Sequence, residues 1–254
     1  RLARTDAGWR YVGVTHEVLM KPKVDPATVR VPDCHIVHDL THRDAASQRS
    51  RWQLDLRLLG DEQKKHPNDT RTAFYYAQTL ECLGENKRAF AAYERRVKLG
   101  GWPEEVYESL FRMGRVMQAG GRPWPEIQQR YLDAHTHSPH RAEPLFQIAW
   151  HYYSEKNWPL TFLFARRASE IAYPTKATLF VDADVYRYKA ADLVGTAAYY
   201  IGELEAGAAA IRKVLEHMPS DARQLKNLAF YEEKLKKAAS LRRGAGAPRR
   251  LDGA

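Results

Sequence analysis

The chain repeats itself, and that constrains its fold more than any single element does. Ala77 is followed by Gly84, Ala89, Tyr93 and Arg96, and Gly195 is followed at the same steps by Gly202, Gly207, Ile211 and Val214, then by Pro219. Two looser copies lie between them. Gly114 leads to Gly121, then with one residue inserted to Ile127, Tyr131, Ala134 and Pro139. Ala149 leads to Ala165 and Ala168 in step, with Pro174 one residue late. Self-similarity of this kind marks arrays in which each unit buries its apolar face only against its neighbours. Each unit reads as a helical hairpin. The small residue of the first helix (Ala77, Gly114, Ala149, Gly195) lets the second helix approach, and Ala89 and Gly207 at the start of the second helix do the same from the other side. Gly84 and Gly202 end the first helix, because glycine adopts the left-handed backbone of a helix C-terminus without strain. Pro139 and Pro219 stop the second helix. Tyr93, Tyr131 and Ile211 fill the space between.

This pattern resembles the tetratricopeptide repeat. The steps from Ala77 to Gly114 and from Gly114 to Ala149 are close to that family's period of about 34 residues. The step from Ala149 to Gly195 is longer, and the surplus falls in Ala172–Asp184. A loop this long inside an array is either functional or an insertion packed against a neighbour. Before the repeats, Ala45–Lys65 reads as a helix with Trp52, Leu54, Leu56, Leu58 and Leu59 on its apolar side, ended by His66-Pro67. After them, Ala222–Lys237 reads as a capping helix with Leu225, Leu228, Ala229 and Leu235 inward and Glu232, Glu233, Lys234, Lys236 and Lys237 outward. The expected fold is mostly α, a tetratricopeptide-type helical-hairpin solenoid preceded by a short β-rich segment.

Composition excludes several classes. At 44% hydrophobic and 28% charged, the 254 residues are neither collagen-like, nor low-complexity, nor wholly disordered. No apolar run is long enough to span a membrane as a helix, and the opening residues do not read as a secretory leader, so none is expected. The first residue is Arg1 rather than Met, so a fragment or processed product is expected. Two cysteines, Cys34 and Cys82, build no disulfide framework, and a cytoplasmic setting is the simplest expectation. The net charge is +9, but much of it sits in the tail, where Lys236, Lys237, Arg242, Arg243, Arg249 and Arg250 face Asp252 alone. With no basic stripe on the body, no specific nucleic-acid partner is expected. The tail, 239–254, reads as disordered, with weak attraction to an anionic membrane surface as its one foreseeable interaction.

Residues 1–42 differ from the rest. Trp9–Val14 is aromatic and branched and reads as a strand running into Thr15-His16-Glu17, and Val29–Val31 and Ile36–His38 read as further short strands. The run GWRYVGVTHEVL, then CHIVHDLTHRD, then the repeats is similar to the family 2 glycosyltransferases that carry C-terminal tetratricopeptide repeats. Stretches such as FYYAQTLECLGE and HRAEPLFQIAWHYY add to the likeness, which spans residues 6 to 235. The resemblance implies that residues 1–42 close a GT-A-like α/β catalytic domain and that 43–238 form the repeat domain. It implies a nucleotide-sugar donor, a divalent cation (Mn²⁺ or Mg²⁺), and catalytic-region roles for His16 and Glu17. His16 would be a metal ligand or a diphosphate contact, and Glu17 would orient the acceptor or hold the histidine in place.

The departure from the family is large: its donor-binding half, with the acidic DxD motif, has no counterpart here. Asp182-Ala183-Asp184 has that spacing but lies in the inter-repeat loop, where Asp184 reads as a helix cap. The fragment alone is therefore expected to be inactive, and the cation is expected only in a longer enzyme. Cys34, His35, His38 and His42 lack the second ligand pair of a zinc site. His135, His137 and His140 read as cationic groups at a helix C-terminus. No nucleophile elbow, phosphate loop or HExxH motif is present.

First helices line the concave face of such arrays. Helical spacing from the anchors places Phe74, Gln78, Glu81, Phe111, Arg115 and Gln118 there, with Phe146, Trp150, Tyr153, Asp192, Thr196 and Tyr199. Aromatic surface with scattered polar groups suits an extended peptide or a sugar, unless the rings pack against neighbouring helices. Two functions follow. In the first, the chain is the C-terminal part of a glycosyltransferase whose repeats bind a polypeptide or glycan acceptor, or a partner protein. In the alternative, it is a non-enzymatic scaffold for protein–protein interaction.

Overall fold

The computed structural model describes Asp6, residues 8–21, Val37 and residues 44–245. Strands β1 (Arg10–Val12) and β2 (Val18–Met20) form an antiparallel hairpin in which Tyr11 faces Leu19. Among the described residues ten helices follow: α1 (Ala45–Lys65), α2 (Thr70–Cys82), α3 (Asn86–Leu99), α4 (Pro103–Ala119), α5 (Trp124–His137), α6 (Glu143–Ser154), α7 (Trp158–Glu170), α8 (Ala190–Ile201), α9 (Leu204–His217) and α10 (Ala222–Ala245). The fold is mostly helical, with helices paired into hairpins. It forms two compact units, Arg1–Ile127 and Gln128–Ala254, each described here by itself.

Local chemistry sets the helix ends. Asp69 accepts hydrogen bonds from the Arg71 and Thr72 amides at the start of α2, and Asp221 from those of Arg223 and Gln224 at the start of α10. Pro103, Pro144 and Pro159 occupy the first turns of α4, α6 and α7, where no amide donor is needed. Each first helix ends in one turn type: the residue after a left-handed position donates back to a carbonyl in the last helical turn. The pairs are Glu85 N to Leu80 O, Arg122 N to Met117 O, Asn157 N to Tyr152 O and Glu203 N to Ala198 O, all 2.9–3.0 Å. Glycine holds the left-handed position in three copies, and Lys156 (φ 55°) holds it in the other.

The anchors do what their size implies. Ala77, Ala89, Ala149 and Ala165 are completely buried. A Cβ on Gly195 would lie 2.3 Å from Ile211 Cδ1, so α9 packs directly on the α8 backbone. Gly207 serves a different neighbour from the one expected. A Cβ there would lie 2.3 Å from the Tyr231 ring of the following helix, whose hydroxyl donates to the Gly195 carbonyl at 2.6 Å. Gly207 thus admits the next repeat element as well as its own.

The insertion packs inward at its end. Arg141 and Glu143 are buried and paired at 2.9 Å. The Arg141 guanidinium donates to the Leu179 and Phe180 carbonyls, while Glu143 accepts from the Tyr186 hydroxyl at 2.7 Å and the Asp182 amide at 3.2 Å. A π-helical turn, Val185–Lys189, then leads into α8. Asp184 makes no side-chain cap there, contrary to expectation. Asp182 pairs with Lys189 at 2.9 Å, and Asp184 accepts from Tyr188.

Two further expectations change. The chain turns back after Val12, so Val18–Met20 is a second strand and His16 sits in the turn. The strands expected at Val29–Val31 and Ile36–His38 fall outside the described residues, save Val37. The inward face of α10 is one residue out of phase with the expected one. Gln224 and Tyr231 are buried, Leu228 and Leu235 pack on the core, and Leu225 and Ala229 are exposed. Burial follows the polar Gln224 because its amide donates to Asp192 at 2.7 Å, a bond hydropathy does not reveal.

Candidate binding surfaces

In the first unit the β-hairpin sits on α2. His16 adopts a left-handed backbone (φ 50°), and its ring stacks on Tyr75 with centroids 4.0 Å apart and planes 9° from parallel. Arg71 donates to the His16 carbonyl at 2.8 Å, and its guanidinium lies 4.9 Å from the Tyr75 ring centre. Loss of hydration lowers the imidazole pKa below 6.5; nearby Asp55 opposes the shift, and Arg71 and Arg51 add to it. Glu17 beside it is exposed. His16 lines a cleft of about 590 Å³ together with Trp52, Asp55, Gln78 and Cys82. Desolvation and the Glu81 carboxylate raise the pKa of the exposed Cys82 thiol, which favours its protonated form.

Gln78 and His16, picked out by separate arguments, therefore share one cleft. The other groove candidates of this unit do not join them. Phe74 is completely buried and offers no groove surface, because it packs edge-on against Tyr75 and Tyr93. Phe111 is buried and stacked on Tyr107. Arg115 is half-exposed, 3.6 Å from Glu81, which also takes Arg112 at 2.9 Å and the Tyr93 hydroxyl at 2.7 Å. The polar groups here mostly satisfy one another.

The divalent cation implied by the resemblance finds no fit among the described residues. No three His, Cys, Asp or Glu side chains gather into a metal-holding group there, and one face of the His16 ring is covered by Tyr75. Cys34, His35, His38 and His42 lie outside the described residues. His135 and His137 lie in the last turn of α5; His135 Nδ1 is 3.3 Å from the Arg141 carbonyl, and His137 Nδ1 is 3.0 Å from Ser138 Oγ.

The second unit carries a continuous run of rings. Phe146, Trp150 and Tyr153 follow one another along α6 with centroids 6.3 and 5.4 Å apart. Tyr153 meets Trp158 edge-on, and Trp158 stacks on Tyr200 at 4.2 Å. Tyr200 meets Tyr199, and Lys234 Nζ lies 4.4 Å from the Tyr199 ring centre. Phe146, Tyr153 and Trp158 pack on the core and support the run. Trp150, Tyr199, Tyr200 and Phe230 are 42–57% exposed, an unusual cluster for such large rings. Thr196, Asn227 and three of these rings line a pocket of about 290 Å³. Arg223 bridges to Asp192 at 2.7 Å beside it.

Of the sequence-derived groove residues, Phe146, Trp150, Tyr153 and Tyr199 come together here. The spacing does not reach Trp158, Tyr200 or Phe230: Trp158 opens a second helix, Tyr200 stands one residue beyond the Tyr199 position of α8, and Phe230 lies on α10, which the sequence presents as a cap.

The architecture agrees with solved structures. The chain is similar to the C-terminal part of a tetratricopeptide repeat-containing protein from Cytophaga hutchinsonii (TM-score 0.53, 18% identity, covering 72% of this chain and 66% of that one). It is also similar to YrrB, described as a tetratricopeptide protein with an unusual peptide-binding site (TM-score 0.51, 15% identity, covering 70% and 84%). A MamA RS-1 double mutant is comparable (TM-score 0.50, 16% identity, covering 69% and 90%). At these identities the likeness is one of fold: stacked helical hairpins of the tetratricopeptide type. No family model matches the chain, and no curated protein matches it. The resemblance to family 2 glycosyltransferases gains no support from these comparisons. No described helix is long and apolar enough to cross a membrane.

Proposed function

We propose that the chain is a tetratricopeptide-type scaffold that binds an extended segment of a partner protein on the aromatic run of its second unit. The observation that carries this reading is the exposure of Trp150, Tyr199, Tyr200 and Phe230 beside supporting rings that are themselves packed. Large rings held rigidly at low entropic cost, with polar groups beside them, are what anchor residues of interfaces require. The peptide-binding site attributed to the similar YrrB accords with this use of the fold. The test is selection of peptides from a random displayed library, followed by titration into the protein and into a Trp150→Ala/Tyr199→Ala variant. Selected peptides should lose about tenfold or more in affinity for the variant. Equal affinity for both proteins would remove the aromatic run from the function.

A second reading keeps the chain as the acceptor side of a glycosyltransferase that uses a nucleotide-sugar donor and Mn²⁺ or Mg²⁺. One observation favours it: His16, which the resemblance implicates, lines the same cleft as Gln78 of the expected acceptor groove. Calorimetry of nucleotide-sugar binding separates the readings. The second requires that a longer gene product bind the donor with Mn²⁺ while this chain does not. Absence of donor binding by both leaves the scaffold reading alone.

A further inference from the structure

The aromatic run is not the only unpartnered surface. Helix α10 has the start of a first helix: its cap Asp221 matches Asp69 of α2. Counted from those caps, Leu225 stands where α2 has Ala73, and Ala229 where α2 has the anchor Ala77. In α2 both positions are buried, Ala73 at 2% exposure and Ala77 at 0%, and α3 packs against α2. The same two positions are Leu145 and Ala149 in α6 and Ala191 and Gly195 in α8, all buried, with α7 and α9 as the packed partners. In α10 Leu225 is 50% exposed and Ala229 is exposed, and no described element packs there. The opposite side of α10, with Gln224 and Tyr231, is occupied by α9, as the corresponding side of α2 meets α1.

We infer that α10 presents the pairing face of a first helix, uncovered among the described residues, and that its Leu225–Ala229 seam receives an acidic amphipathic helix from a partner protein. The seam continues an interface that the fold builds in the α2–α3, α6–α7 and α8–α9 hairpins, and that continuity specifies the occupant. Two of the second helices, α3 and α9, bring a small residue and, four positions on, a bulky apolar one: Ala89 with Tyr93, and Gly207 with Ile211. Charge specifies the rest. Glu232, further along the seam, is already bridged to Arg212 at 3.1 Å, whereas Lys236 on the seam and Lys226 beside it form no ion pair among the described residues. An occupant with carboxylates along its flanks meets these ammonium groups, and one with lysines is repelled.

The probe is a labelled synthetic helix with the α9 sequence, Leu204–His217, in which Arg212 and Lys213 are replaced by Glu. It keeps Gly207 and Ile211 and takes the net charge from zero to −4 with His217 neutral. Anisotropy titration should show saturable binding to the full chain. Ala229→Arg, at an exposed position, should weaken it by about tenfold or more without lowering Tm. A probe with the unaltered α9 sequence should bind more weakly than the acidic one. Lys226 also lies 5.9 Å from the Phe230 ring centre, but Trp150 and Tyr199 are on other helices than the seam, so Trp150→Ala/Tyr199→Ala should leave probe binding unchanged. Three results would overturn the inference: no saturation by the acidic probe, binding that ignores Ala229→Arg, or an Ala229→Arg-sensitive dimer in light scattering, which would mean that a second copy fills the seam.

Discussion

Lys156 occupies a backbone conformation that the other three copies of the same turn give to glycine. Its φ of 55° costs a side-chain-bearing residue about 1 kcal/mol, part of which glycine would return through its freer unfolded state. Lys156→Gly is therefore expected to stabilise the protein by about 0.5 kcal/mol, read as a higher denaturation midpoint at unchanged slope. A lower midpoint would show that the lysine makes a compensating contact. Gly207→Ala should do the opposite. Its new methyl would meet the buried Tyr231 ring at 2.3 Å, and overpacking of this kind costs about 1–3 kcal/mol. His16 gives a third expectation. Loss of hydration on the ring face covered by Tyr75 disfavours its charged form, so the docked hairpin binds protons less readily than the undocked one. Its contribution is fully present above pH 6.5, the unshifted value, and is lost as the pH falls below that towards the lowered pKa. Proton NMR should place the His16 midpoint below 6.5; a midpoint above it would mean that Asp55, not desolvation, governs the site.

The elements differ in how far the sequence reveals them. The hairpin helices of the repeats were legible because the small-residue anchors recur and each packs as its size demands, Gly195 under Ile211 most clearly. The third turn hid because Lys156 is not a glycine, although Ala149 predicts its position. The face of α10 was misread because a buried Gln224 held by Asp192 outweighs an apolar Leu225 that has nothing to pack on. For the candidate surface, spacing found Trp150 and Tyr199 but kept Phe74, since periodicity cannot distinguish a ring facing solvent from one enclosed by Tyr75 and Tyr93. The insertion shows the same limit. Its anchoring by Arg141 and Glu143 depends on groups distant in sequence. Removing the cation while leaving Glu143 buried is expected to cost about 3–5 kcal/mol. Arg141→Met should therefore lower Tm and open residues 172–184 to limited proteolysis. An unchanged cleavage pattern would show that the loop holds without the pair.

At the scale of the whole molecule, two compact helical units present different surfaces. The first uses most of its polar groove side chains internally, in the network of Glu81, Arg112, Arg115 and Tyr93. The second leaves its aromatic side chains to solvent while fixing the rings beneath them. A scaffold needs that second arrangement, because rings already held in place lose little entropy when a partner covers them. In the proposed function a polypeptide partner lies on this run. The most direct test of that placement is a heteronuclear NMR map of the protein saturated with a peptide selected for binding. The largest shifts are expected on the Trp150 indole and on Tyr199, Tyr200 and Phe230. Shifts confined to the His16 and Gln78 cleft, with these four unmoved, would contradict it.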